Sequence, residues 1–254
     1  MILVMSGTVN GNKIIKRLKN KFKIVATTTT NYGANLAKNS GADEVISRPL
    51  DKDDLVELIN KKDVKVLIDA THPFAKEATK NAIDACEKTG IRYIRFERPS
   101  INYKHPNVIY VDSFDEAGEI AAKIDGKVMH LAGVSTLPKI VKYLDNNKLV
   151  VRVLPWPDSI KKCLKLGIPP KNIIAMYGVF SKKLNMALIE EYEAEAIITK
   201  DSGKEGGLKN KVDAALELDT KVIIVKRPVI KKLKNKVVCK SLEEIERILA
   251  NVYN

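Results

Sequence analysis

The sequence predicts an α/β protein made of two Rossmann-like domains, each a mostly parallel sheet flanked by helices. Three observations carry that expectation. Short runs rich in Val and Ile alternate with longer amphipathic stretches, the pattern of strands joined by crossover helices. Two such series follow one another, separated by residues 97–112, where Arg98-Pro99-Ser100 and His105-Pro106 interrupt the periodicity. A chain of 254 residues with 45% hydrophobic content is long enough to build two packed cores.

In the first series, apolar runs of strand length occupy residues 2–5, 23–28, 44–47, 64–70 and 92–96. Amphipathic stretches over 9–20, 32–39, 52–60 and 74–89 separate them, and the last meets Gly90, a residue suited to a helix C-terminus. Another strand is expected at 108–111. The second series places strands at 128–131, 149–154, 172–175, 196–199 and 222–225, and helices at 136–144, 159–166, 181–191, 208–218 and 242–249. The expected domains are residues 1–105 and 106–254, with a ligand cleft between the halves.

Bulk properties remove several function classes. No apolar run approaches the roughly 18 residues that span a membrane, and the N-terminus lacks the layout of a signal peptide, so a cytoplasmic protein is expected. Cys86, Cys163 and Cys239 lie far apart without CxxC spacing, which argues against a metal cluster and a disulfide framework. The formal net charge of +13 admits nucleic-acid binding or capture of a smaller polyanion. Lysines are scattered over nearly every expected helix and few aromatics are interleaved with them, which disfavours single-strand stacking platforms.

Chemistry is concentrated where strands end. In Asp69-Ala70-Thr71-His72-Pro73-Phe74 an apolar strand runs into polar residues and a proline. Pro73 suits the first turn of the following helix and keeps His72 extended, which puts Thr71 and His72 on the carboxyl rim of the sheet, where open α/β folds bind ligands. His72 reads either as a structural histidine or as a group that orients a cofactor or donates a proton. The turn at Gly7-Thr8 after the first strand could cradle a phosphate or be a plain tight turn. Thr27-Thr28-Thr29-Thr30 groups hydroxyls at the second strand's end, able to meet a ribose or phosphate, or to act as strand formers and a helix cap. In the second half, Arg152 precedes the lone Trp156, and Thr199-Lys200-Asp201-Ser202-Gly203 leads into Gly206-Gly207, which reads as an anion-binding loop.

Taken in order, these blocks resemble the precorrin-6A reductase family of cobalamin (vitamin B12) biosynthesis, most of all its cobalt-precorrin-6A reductase branch. The resemblance runs through Gly7-Thr8, Thr28-Thr29, Asp69-Ala70-Thr71-His72-Pro73-Phe74-Ala75, Arg95-Phe96-Glu97-Arg98-Pro99, Arg152-Val153-Leu154-Pro155, Thr199-Lys200-Asp201-Ser202-Gly203 and Lys226-Arg227-Pro228. It implies two Rossmann-like domains and reduction of one macrocycle double bond, with hydride from NADH or NADPH. It also implies a polyanionic substrate, cobalt-precorrin-6A or metal-free precorrin-6A, with no nucleic acid, membrane or protein-bound metal. On this reading Gly7, Thr8, Thr28, Thr29, Thr71, His72 and Phe74 hold the cofactor, with His72 the weak catalytic candidate. Arg98, Arg152, Lys200, Asp201, Ser202, Gly203 and Arg227 hold substrate carboxylates. The alternatives are a module that senses NAD(P)H without turning it over and a nucleic-acid-binding protein.

Overall fold

A computed structural model describes residues 1–97 and 99–253 of the chain. It divides into two compact units, Met1–Pro99 with Pro228–Asn254, and Ser100–Arg227. The first is built from β1 (Ile2–Met5), α1 (Val9–Leu18), β2 (Ile24–Thr28), α2 (Asn31–Ser40), β3 (Glu44–Ser47), α3 (Lys52–Lys61), β4 (Val66–Asp69), α4 (Lys76–Thr89) and β5 (Arg92–Phe96). The C-terminal segment adds β12 (Val237–Cys239) and α9 (Leu242–Tyr253), numbered by their place in the chain. The sheet is parallel throughout, in the order β3-β2-β1-β4-β5-β12.

Both faces of this sheet are covered, so its central strands are apolar almost without interruption. Ile2, Val4, Ile24, Ala26 and Ile68 point to one side, against Ile14, Ile15 and Leu18 of α1 and Ile245 and Leu249 of α9. Leu3, Val25, Leu67 and Tyr93 point to the other, against Leu55 and Ile59 of α3 and Ile83 and Cys86 of α4. Strand alternation alone sorts these side chains between the two layers.

The second unit repeats the plan with β6 (Val108–Val111), α5 (Phe114–Ala121), β7 (Lys127–His130), β8 (Leu149–Val153), α6 (Pro157–Lys165), β9 (Ile173–Ala175), α7 (Lys182–Glu191), β10 (Ala194–Lys200), α8 (Leu208–Glu217) and β11 (Lys221–Val225). Its sheet, again parallel, has the order β9-β8-β7-β10-β11-β6. The two-sheet α/β architecture expected from the sequence is therefore present.

Four details depart from the expectations. Residues 228–254 belong with the first unit rather than the second, because β12 adds to the edge of β5 and α9 buries Ile245 and Leu249 in the first unit's core. An α-helix at α5, capped by the Ser113 hydroxyl on the Glu116 N–H, occupies a stretch in which no helix was expected. The helix expected at 136–144 is instead a 3₁₀ turn, Leu137–Lys139, within a series of tight turns. Pro138 has no N–H to give to the residue 134 carbonyl, and the Thr136 hydroxyl donates to the Gly133 carbonyl at 2.9 Å. Lastly, Pro73 lies in a turn closed by the Ala75 N–H on the His72 carbonyl at 2.8 Å, and α4 starts only at Lys76. Proline's fixed φ serves the second position of such a turn as well as it serves a helix start.

Among the described residues no helix is long and apolar enough to cross a membrane. The three cysteines are buried thiols. Leu249, fully buried by α9, tests the placement of the C-terminal segment. Leu249→Ala should cost about 2–5 kcal/mol in a urea titration; a loss within about 0.5 kcal/mol, typical of surface sites, would place α9 outside the core.

Candidate functional site

In the first unit the strand order changes direction between β1 and β4, the kind of switch point at whose carboxyl edge open α/β sheets bind ligands. Two loops meet there. Gly7 takes φ +89°, a conformation that disfavours side chains, and turns the chain from β1 towards α1. Thr8 caps α1 by accepting the Gly11 N–H at 3.2 Å, while its own hydroxyl donates to the Ala70 carbonyl at 2.8 Å. That bond ties the turn after β1 to the turn after β4.

The β4 turn is fixed from beneath by charge. Asp69, at the last position of β4, is fully buried, and Arg95 stands beside it in register on β5 with 1% exposure. The guanidinium Nη1 lies 2.8 Å from Asp69 Oδ1. The same carboxylate accepts the Thr71 N–H at 3.0 Å and hydroxyl at 2.6 Å, the Thr79 hydroxyl at 2.8 Å and the Tyr93 hydroxyl at 2.9 Å. Arg95 donates to the Thr71 and Thr79 hydroxyls in turn. Burial pushes the Asp69 carboxyl up, but Arg95 and these donors more than offset it, leaving Asp69 below its ordinary value.

Held by this network, residues 70–75 present His72 and Phe74 at the rim, their rings 5.8 Å apart. The Phe74 N–H donates to His72 Nδ1 at 3.2 Å. In this bond Nδ1 is the acceptor, which in a neutral ring places the proton on Nε2. The first turn of α4 behind it has no side-chain cap, which leaves its N–H dipoles without a side-chain acceptor.

Thr28 and Thr29 are one strand further out, at the end of β2. The Thr28 hydroxyl is buried and donates to the Thr30 carbonyl at 3.1 Å; Thr29 is exposed in the bend that follows. Thr30 is the cap of α2, accepting the Gly33 N–H at 3.0 Å.

The second unit has its own switch point, between β7 and β10, and a cavity of about 230 Å³ lies beside it. Arg152 from β8, Lys200 from the end of β10 and Lys211 from α8 line it, together with Gly133, Gly206 and Gly207, and no carboxylate lines it among the described residues. Arg152 is 9% exposed; it donates to Asn185 Oδ1 at 2.9 Å and lies 5.0 Å from the centre of the Phe180 ring. Burial lowers the Arg152 guanidinium to about 10 and lowers Lys200 as well. Lys211, desolvated and facing both of these charges, falls to about 7. His130, at the end of β7, is buried with Nε2 3.0 Å from the Thr136 hydroxyl, and its Nδ1 has no hydrogen-bond partner among the described residues. Burial lowers it to about 4, so it is neutral near pH 7.

Of the residues expected to meet substrate, Arg152 and Lys200 line this cavity. Asp201 and Arg227 face each other, with Nε 3.1 Å from Oδ2, and Asp201 also accepts the Ser100 hydroxyl at 2.6 Å. The Ser202 hydroxyl donates to the Gly206 carbonyl, and the Gly203 carbonyl accepts the Leu208 N–H. These four shape the loop that carries Lys200. Arg98 lies outside the described residues. Lysines of the basic C-terminal stretch are partnered too: Lys226 with Asp112, Lys232 with Asp84 and Lys236 with Glu87.

The sequence reading left Lys211, Asp69 and Arg95 out of the site. Asp69 and Arg95 had a signal, each a charge placed late in an otherwise apolar strand. Lys211 had none, since on the sequence it is one helix lysine among many.

A family model described as precorrin-6x reductase CbiJ/CobK matches residues 1–252. The chain is 51% identical over 232 residues to a cobalt-precorrin-6A reductase of Methanothermobacter thermautotrophicus, covering 89% of this chain and 76% of that relative. It is 44% identical over 253 residues to one of Methanocaldococcus jannaschii, covering 99% and 98% of the two chains. A solved structure titled CobK precorrin-6A reductase superposes with a TM-score of 0.79 at 22% identity, covering 99% of this chain and 96% of that one. That last likeness speaks to the fold.

Asp69→Ala should destabilise the protein by about 3–5 kcal/mol, because it removes the buried carboxylate 2.8 Å from Arg95 and leaves that charge the part-exposed Glu97, 3.6 Å from Nε. In the native protein this contribution is present above the ordinary carboxyl range and is lost only as pH falls through the lowered value of Asp69. Asp69→Ala should therefore lose most near neutrality and converge on the parent at strongly acid pH. Equal losses at every pH in denaturant titrations would remove the ion pair from this role.

Proposed function

The chain belongs to the precorrin-6x reductase family CbiJ/CobK, and from that premise we propose how its two sheet edges divide the work of the reaction. The reaction is reduction of a macrocycle double bond in cobalt-precorrin-6A to give cobalt-precorrin-6B, a step of cobalamin biosynthesis. One carbon of the bond receives a hydride and its neighbour receives a proton.

NADH or NADPH would supply the hydride. The first unit's rim suits such a dinucleotide. The Gly7 turn leads into the N-terminus of α1, α4 begins without a side-chain cap, and hydroxyls stand at the end of β2. Gly7 and Thr8 would hold the phosphates, and Thr28 and Thr29 the ribose side. Thr71, His72 and Phe74 would border the nicotinamide. His72, held by the Phe74 N–H on its Nδ1, orients the nicotinamide, and Phe74 gives an apolar wall.

Arg152 and Lys200 in the second unit meet the acetate and propionate groups of the macrocycle. The observation that carries this assignment is the cation-lined cavity, which lacks a carboxylate among its described residues. Arg152, buried with the neutral Asn185 amide as a partner, is a cation whose desolvation a ligand carboxylate would offset. Catalysis is then mainly positioning of two bound molecules.

Anaerobic incubation with NADH or NADPH, and with cobalt-containing or metal-free precorrin-6A, tests the reading. Loss of nicotinamide absorbance should accompany a product heavier by one hydride and one proton; cofactor binding without that loss would instead describe a sensor. His72→Ala should lower kcat by about tenfold or more while the fold is retained, and unchanged kinetics would remove His72 from the site.

A further inference from the structure

The cavity of the second unit is too small for the whole substrate. Pockets that enclose a drug-sized ligand measure about 300–1,000 Å³, whereas this one holds about 230 Å³. A tetrapyrrole cannot enter it, but a carboxylate side arm can. The outer surroundings differ in character from the interior. Leu154 and Val179 line the mouth with 44% and 56% exposure, and Trp156 and Tyr177, beside them in sequence, are 37% and 51% exposed with rings 6.3 Å apart. Exposed apolar side chains grouped around a charged hole fit a ligand with a flat greasy body and anionic arms.

The interior is built for more than one negative charge. Arg152 is oriented by Asn185, whose amide nitrogen is itself held by the Ser181 carbonyl at 2.7 Å. Gly207, with φ +74° at the start of α8, brings that helix's N-terminal end to the same wall. Lys211 follows one turn later and faces the other two cations. Resting on the assignment of the macrocycle to this unit, we infer that the cavity is an oxyanion receptor in which Lys211 completes a three-cation grip, with Arg152 and Lys200, on a carboxylate arm of the substrate while the ring stays outside against the apolar lip.

Lys211 also gives the receptor a pH signature. Among the described residues, the groups facing it are Arg152 from β8, Lys200 from β10, neutral His130 from β7 and neutral Asn185 from α7. In the free protein Lys211 loses its proton near pH 7, whereas an arriving anion favours the ammonium form. Binding should therefore take up a proton above neutrality and weaken as pH rises.

Titration of the full chain with tricarballylate, followed by calorimetry at about pH 6 and about pH 8.5, tests the proposal. The expected result is binding that weakens by about tenfold towards the higher pH, loss of about tenfold in affinity at pH 6 in Lys211→Met, and a flat pH dependence in that variant. Lys211→Arg should restore affinity without the pH dependence. With the macrocycle, Lys211→Met should raise KM and leave kcat nearly unchanged. Free Lys211→Met should melt no lower than the parent, because it removes a desolvated charge.

Adenosine 2′,5′-bisphosphate serves as the competing probe. If it binds and tricarballylate does not, the cavity belongs to the dinucleotide and the proposal is overturned. Parental KM and affinity in Lys211→Met would also overturn it, with the reductase activity left standing. Failure of every variant to reduce the macrocycle, with tricarballylate still bound, would count against the assigned reaction instead.

Discussion

Parallel strands buried on both faces favour polar side chains at their ends, and in this protein several carboxyl ends carry charged or titratable side chains. Asp69 is the last residue of β4, His130 of β7 and Lys200 of β10, while Arg95 and Arg152 stand one position from the ends of β5 and β8. Earlier positions such as Val66, Leu67 and Ile68 of β4, Met129 of β7, Val150 of β8 and Ile197 of β10 are committed to the cores. The one-way run of the sheets therefore gathers charges that are distant in sequence onto one edge of each unit, the edge at which open α/β sheets bind ligands.

The two edges handle their charges in opposite ways. In the first unit, Arg95 and three neighbouring hydroxyls neutralise Asp69, and the result is a rigid floor under the His72 turn. Such a network contributes geometry more than net stability, since burying the pair costs about as much as the pairing returns. In the second unit, Arg152, Lys200 and Lys211 share a cavity without a carboxylate among its described lining residues, the surroundings that the proposed substrate carboxylate would enter. Rigidity at one edge and gathered cations at the other suit the proposed reaction, in which positioning two molecules is most of the work.

Much of this was legible in the amino-acid order, because period and punctuation are local. Apolar runs ending in Asp69-Ala70-Thr71-His72 or Thr199-Lys200-Asp201 announce a strand and its rim together. Long-range features left weaker traces. The short Val237-Val238-Cys239 strand is too brief to stand out from its lysine-rich surroundings, yet its pairing with β5 assigns the C-terminal segment to the first unit. Asp201 and Arg227 look alike as ligand-binding charges in sequence, and only the fold sets them against each other. Lys211 gains meaning solely from where α8 places it.

The account's central claim is a division of labour, with the nicotinamide cofactor on the first unit and the macrocycle's carboxylates on the second. The most direct test measures cofactor Kd by quenching of nicotinamide fluorescence, and macrocycle KM, in Thr8→Val, His72→Ala and Arg152→Met. Loss of cofactor affinity confined to the first two, with a raised macrocycle KM confined to Arg152→Met, is the predicted result. Cofactor affinity that disappears with Arg152 and survives in Thr8→Val and His72→Ala would contradict it.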